Sequence, residues 1–159
     1  MRRFNIWLML LFIIGSELLG FLGSFATAPN IPTWFKGLVK PPLSPPNWIF
    51  APVWTILFAL MGISAYLVFQ KRLKNKQVNQ AMMWFLAQFS LNILWSFLFF
   101  GLRNPLAGLL GIVVLWSTIT ITMLHFKKIS KPACYLLIPY LFWVSFAAYL
   151  NASIYLLNH

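Results

Sequence analysis

Gln88, Asn92 and Trp95 stand four and then three residues apart in a long apolar run. At 3.6 residues per turn they share one helical stripe. Two amides and an indole N–H on an apolar helix face protein or a cavity, because lipid offers them no partner. Two uses fit them: hydrogen bonds between helices, or polar contacts to a ligand. Trp143, Ala147 and Asn151 form a second stripe beside Tyr140, and Phe50, Trp54 and Phe58 form a third. Trp54, Trp95 and Trp143 share faces with polar or small residues, which suits an inner cavity. A flat aromatic ligand would stack on such walls. Lys36, Lys40 and Arg103 lie between apolar runs on one side of the chain and could hold its carboxylates. Trp7, Trp84 and Trp116 suit interfacial belts or lipid faces instead.

Glu17 is the single acidic residue. In mid-membrane a charge costs at least about 2.5 kcal/mol on insertion scales. We expect it to bond a Trp N–H, a Tyr hydroxyl or an amide as a bridge between helices, with a proton relay or a ligand contact as the alternative. Other reactive sets are missing. His125 and His159 stand alone, and Cys134 reads as a small packing residue near a helix start. No metal-ligand spacing, nucleophile elbow or glycine-rich phosphate loop occurs. One acid cannot supply a carboxylate pair within a protomer, so neither a metal site nor paired-carboxylate catalysis is expected.

The elements that must position these residues follow from composition. Hydrophobic residues make up 61% and charged residues 8%, and the mean hydropathy is +0.81. A soluble surface takes roughly 25% charged residues. Too few polar side chains exist to cover a globule, so the solvent is lipid. The net charge of +11 comes from twelve basic residues in short clusters between apolar runs. That is the pattern of topology-setting loops rather than of a nucleic-acid surface.

Five runs of about 20 residues or more, enough to cross ~30 Å of hydrocarbon, predict helices over 5–28, 48–70, 79–102, 105–126 and 132–157. The chain reads as one transmembrane domain over 1–159, an all-α bundle of five helices. The first run has the basic start and the Ala26-Thr27-Ala28 of a signal peptide, yet it exceeds the usual apolar core of about 7–15 residues. We expect a retained helix. Asn47 is expected to cap the second helix, Asn104 with Pro105 to open the fourth, and Pro139 to kink the fifth. Ser16, Gly20, Ser24 and Ala28, each four apart, make a small-residue face; Ala107 with Gly111 and Ala148 with Ala152 repeat the spacing. These suit internal packing or a dimer. No repeat occurs, and five helices do not divide into two equal inverted halves. Nine basic residues fall on the N-terminal side (Arg2, Arg3, Lys71, Arg72, Lys74, Lys76, Lys127, Lys128, Lys131) and three on the other (Lys36, Lys40, Arg103). This puts the N-terminus in the cytoplasm.

Between the first two helices lies the stretch Trp34 to Trp54, with Pro41, Pro42, Pro45, Pro46 and Pro52 in it and Pro32 just before. Proline fixes φ and donates no N–H, so 41–46 is a stiff, non-helical strap closing one end of the bundle. Trp34, Leu38-Val39-Lys40-Pro41, Pro45-Pro46, Phe50 and Val53-Trp54-Thr55-Ile56-Leu57 resemble the signature of the TspO/MBR family, the tryptophan-rich sensory or translocator (peripheral benzodiazepine receptor) proteins. Gln88, Asn92, Trp95 and Phe99-Phe100-Gly101 resemble its third helix. Leu137-Ile138-Pro139-Tyr140, Trp143, Phe146-Ala147 and Tyr149-Leu150-Asn151 resemble its fifth. The resemblance covers nearly the whole chain and implies a five-helix, often dimeric protein in the bacterial cell membrane, or in the outer mitochondrial membrane of a eukaryote. It implies binding of porphyrins such as protoporphyrin IX, for transport or sensing, with no further cofactor. The implied walls are Trp34, Phe50, Trp54, Gln88, Asn92, Trp95, Tyr140, Trp143 and Ala147. Light-dependent porphyrin breakdown through Trp54 and Trp143 is an alternative, and a scaffold for other membrane proteins is another. Vertebrate relatives also bind sterol, but Tyr149 and Tyr155 have no Lys or Arg after them through His159, which weighs against the proposed sterol motif here.

Overall fold

The computed structural model describes residues 4–71 and 76–159. Arg2, Arg3, Arg72 and Lys74, used above for orientation, lie outside the described residues. Seven α-helices follow in order: α1 Ile6–Phe21, α2 Ser24–Asn30, α3 Phe50–Phe69, α4 Lys76–Ser96, α5 Pro105–Ile129, α6 Lys131–Leu136 and α7 Ile138–Leu157. There is no strand among the described residues. Four stretches are long and apolar enough to cross a membrane: Asn47–Phe69, Lys76–Gly101, Pro105–Ile129 and Lys131–Leu157. Among the described residues α1 and α2 pass the same test only as a pair, bent by 45°, which as one broken span gives a fifth. The protein is an all-helical, multi-pass membrane bundle, as its hydropathy requires.

The expected unbroken helix over 5–28 is two helices. At the junction Leu22 N–H donates to the Leu19 carbonyl and Gly23 N–H to the Gly20 carbonyl, both at 3.1 Å, a tighter turn than α. The Ser24 hydroxyl donates to Phe21 O at 2.6 Å and competes for the carbonyls of the turn. Glycine–serine pairs are a recognised cause of sharp bends. Apolar periodicity is blind to this, since both halves are equally apolar.

Below the bend, α1 lies hard against α3. A Cβ on Gly62 would sit 2.7 Å from Ile13 Cα and from the Phe12 carbonyl oxygen. Only glycine permits that backbone approach. Asn5 caps α1 by accepting from Leu8 N–H at 3.1 Å, and its own N–H donates to Tyr66 Oη at 2.9 Å. The core of this half is dry and aromatic: Phe85 stacks on Phe126 at 5.8 Å and touches Phe89, which packs on Phe58 at 5.6 Å.

Asn104 accepts from the N–H groups of Leu106 and Ala107 at 3.1 and 3.0 Å, with Pro105 in the first turn, as expected. α5 then runs on to Ile129, with Lys127 and Lys128 in its last turn, where cations complement the free carbonyls. The last span is interrupted at Leu137, two residues before Pro139, which lacks the N–H to continue the ladder. Asn47 does not cap α3. No side-chain cap is present there, and the chain enters through a 3₁₀ turn, Asn47–Ile49, closed by Ile49 N–H to Pro46 O at 3.1 Å.

Gly62→Ala is expected to cost about 1–3 kcal/mol, because the obstruction is backbone and cannot swing away. Gly15→Ala meets nothing within 4 Å and is expected to be neutral or to gain up to about 1 kcal/mol. Thermal unfolding of the two variants in detergent micelles checks the difference.

Candidate functional site

On both sides of the bend, toward the strap, the bundle leaves a half-open cavity of about 420 Å³. That is within the usual range for small-molecule sites, about 300–1,000 Å³. α1 and α2 contribute Glu17, Gly20, Phe21, Ser24, Thr27 and Ala28. Their spacing of three, one, three, three and one is a single helical face continued across the bend. So Gly20, Ser24 and Ala28 of the small-residue face line a cavity. Ser16 is buried instead.

α3 contributes Phe50, Trp54 and Phe58. Trp54 stacks on Phe58 at 5.3 Å, and Phe58 rests on the aromatic core below, forming a floor. α7 contributes Trp143, Ala147 and Asn151, and Trp143 meets Phe50 edge-on at 5.9 Å. α4 contributes Asn92 and Trp95, and the π-helical turn Phe97–Gly101 that follows it contributes Phe99 and Phe100. Leu102 N–H donates to Phe97 O at 2.8 Å, five residues back, and the wider turn sends both neighbouring rings inward. The strap closes the top with Phe35, whose ring lies 5.5 Å from that of Phe100.

The structure therefore brings Phe50, Trp54, Asn92, Trp95, Trp143 and Ala147 to one cavity. Three expected wall residues stand behind it. Trp34 packs edge-on against Phe99 and Phe100, and Phe35 takes the place facing inward. Tyr140 and Gln88 are buried in a polar chain: Asn92 Nδ2 donates to Tyr140 Oη at 3.0 Å, and that hydroxyl donates to Gln88 Oε1 at 2.9 Å. Gln88 Nε2 is the buried polar side-chain atom with no partner among the described residues. Trp95 Nε1 donates to Asn151 Oδ1 at 3.2 Å, and Asn151 Nδ2 to Pro105 O at 2.7 Å. Interhelical bonding thus accounts for most of the polar stripe. Trp54 and Trp143 differ: neither indole N–H has a hydrogen-bond acceptor among the described residues.

The three cations expected to hold carboxylates do not line the cavity. Arg103, in the left-handed region at φ 51°, donates from Nε to Asn30 Oδ1 at 2.9 Å, and Asn30 Nδ2 donates to Ala26 O at 2.8 Å. This ties the α4–α5 turn to α2. Lys40 Nζ donates to the Lys36 and Leu38 carbonyls at 3.4 and 3.5 Å and sits 4.7 Å from the Phe35 ring centre. Lys36 is exposed on the strap. Of the tryptophans expected at lipid or belts, Trp7 is 79% exposed. Trp116 is outward but donates to Ser145 Oγ at 2.9 Å, and Trp84 stacks on His125 at 6.4 Å.

Residues 12–157 match the TspO/MBR family. The chain belongs to the TspO/MBR family. It is 50% identical over 139 residues to the tryptophan-rich protein TspO of Chlorobaculum tepidum, covering 87% of this chain and 88% of that one. It is 45% identical over 154 residues to the tryptophan-rich protein TspO of Archaeoglobus fulgidus, covering 97% and 99%. Against the translocator protein of Bos taurus it is 35% identical over 133 residues, covering 83% and 79%. As a TspO/MBR protein the chain has its aromatic cavity at the strap end of the bundle.

Glu17, expected from the sequence as a bridge between helices or else a relay or ligand contact, lines the cavity on the stripe of Gly20, Ser24 and Thr27. Asn158 carried no signal in the sequence. Its Oδ1 accepts from Val39 N–H and its Nδ2 donates to Val39 O, both at 2.9 Å, which fastens the strap to the end of α7.

Tyr140→Phe strands the Asn92 amide and removes the donor to Gln88, and is expected to cost about 1–3 kcal/mol; the thermal midpoint in micelles reports it. Asn158→Ala should leave that midpoint nearly unchanged and speed limited proteolysis within 38–46, read by mass spectrometry of the cleaved ends.

Proposed function

We propose that the cavity takes up a porphyrin-type tetrapyrrole, in the transport or sensing of such molecules. The observation that carries this is the placing of Trp54, Trp95 and Trp143, from three different helices, on one apolar cavity under Phe35. Indole faces suit a flat conjugated ring, and stacking against them strengthens with desolvation. The uncommitted N–H groups of Trp54 and Trp143, with Asn92, supply the few polar contacts that would orient it. Because Lys36, Lys40 and Arg103 stand off the walls, the macrocycle enters and its carboxylates remain at the mouth near the strap. The bias of basic residues in the sequence supports a strap end outside and an N-terminus in the cytoplasm.

A second reading, light-dependent breakdown of the bound ring by oxygen, draws on the same two uncommitted indoles. Trp54 meets Tyr140 edge-on at 6.3 Å, so an oxidised indole there has a phenol at hand.

Protoporphyrin IX should quench the tryptophan fluorescence of the protein in micelles saturably. Trp54→Ala with Trp143→Ala should weaken binding by at least about tenfold, since each stacked ring contributes roughly 0.5–1.5 kcal/mol beyond its buried area. Unchanged affinity in the double variant would remove this site. Under illumination, equal loss of the porphyrin spectrum with wild type and with Trp54→Phe, Trp143→Phe would discard the breakdown reading.

A further inference from the structure

Glu17 is the chain's one acid. It lies in α1 a single turn before the bend, on the cavity wall. The expected bridge between helices is not made: its carboxyl has no hydrogen bond and no ion pair among the described residues. Among the described residues no lysine, arginine or histidine lines the cavity. The cavity it lines is rich in rings, with Phe21 on its own helix and Trp54, Trp95 and Trp143 from α3, α4 and α7, beside neutral small and polar side chains such as Ser24, Thr55 and Ser96.

A half-buried carboxyl group without a partner, on the wall of a cavity that three indoles also line, makes a specific chemical offer. Its field is less screened there than in open water, because the walls polarise little. Indole faces attract cations through their quadrupole, most strongly when water is excluded. The two terms act on the same guest: one positive charge carried by a flat aromatic body. An anion placed in the cavity meets the same field with the opposite sign and finds no cation on the wall.

We infer that this cavity is selective for flat aromatic monocations, with Glu17 supplying the counter-charge and the three indoles the stacking surface. The inference rests on the reading that the cavity is a ligand site, and adds to it which charge the cavity prefers. It also sorts porphyrin-type ligands by orientation, since a carboxylate-bearing edge is turned away from α1.

The test compares N-methylacridinium with acridine methylated on carbon, its neutral isostere, at mildly alkaline pH. Equilibrium dialysis of the whole chain in micelles, corrected with empty micelles, reads the affinities. The cation should bind at least about tenfold more tightly than the isostere, the combined scale of a cation–π contact and a partly screened ion pair. Glu17→Gln keeps the shape, removes the counter-charge and should lower the ratio at least about threefold, leaving the share that the indole faces supply. Glu17→Asp keeps the charge on a shorter side chain and should retain part of the preference. A wild-type ratio near one overturns the inference, and so does a tenfold ratio that survives in folded Glu17→Gln protein. If Glu17→Gln yields no folded protein, the wild-type ratio decides alone. Protoporphyrin quenching of the wild type, run in parallel, separates the readings. Saturable quenching without charge preference sinks the cation inference alone, and charge preference without quenching sinks the porphyrin reading alone.

Discussion

The contact of backbone with backbone at Gly62 is the constraint on which the upper half depends. It holds α1 against α3 in the lower half, with Phe12 and Ile13 closer than any side chain would allow. With that half pinned, the 45° bend at 22–23 decides where α2 goes. The two features together leave a cavity above and a filled core below. In lipid, where apolar burial gives helices little reason to prefer one another over acyl chains, such close fits carry association. At the strap end Gly108 makes room for side chains instead: a Cβ there would reach the Phe99 ring at 2.7 Å and Asn151 Oδ1 at 2.8 Å.

Polar groups inside the bundle serve mainly to position rings. Asn151 holds the Trp95 indole and is itself held by the Pro105 carbonyl. Tyr140 joins Asn92 and Gln88 behind the wall that Trp54 forms in front. Ser64 bonds the Ala133 carbonyl at 2.7 Å and ties α3 to the interrupted last span. Each such bond fixes an aromatic side chain or a break in the backbone. Glu17 stands outside this system, as do the indole N–H groups of Trp54 and Trp143. These three uncommitted groups meet at one cavity, while the unpartnered Gln88 Nε2 lies behind its wall.

Much of this was legible in the sequence because lipid simplifies the problem. Hydropathy and length alone separate the spans, and Asn104-Pro105 reads as a helix start for reasons local to four residues. The stripes of α3 and α7 point the right rings inward, since a 3.6-residue period is all that is needed. The rest depends on information that no period carries. The bend at Gly23-Ser24 is a local competition for carbonyls within a uniformly apolar run. Trp34 and Phe35 are neighbours in a strap without periodicity, and three-dimensional packing chose the second to face inward. Lys40 and Arg103 looked free because their partners, Phe35 and Asn30, are close in space through turns that sequence does not specify. Gln88 and Tyr140 share the polar stripes with Asn92 and Asn151, yet packing sets them one layer behind the wall.

The aromatic floor carries a directional consequence. Phe58, Phe89, Phe85 and Phe126 are in successive contact from the cavity into the dry half of the bundle. A guest beneath the strap would meet these packed rings before it could move onward through the bundle. It departs as it arrived, or sideways between helices. In this shape the bundle behaves as a cup and not a tube, so moving a cargo would mean handing it over at the rim.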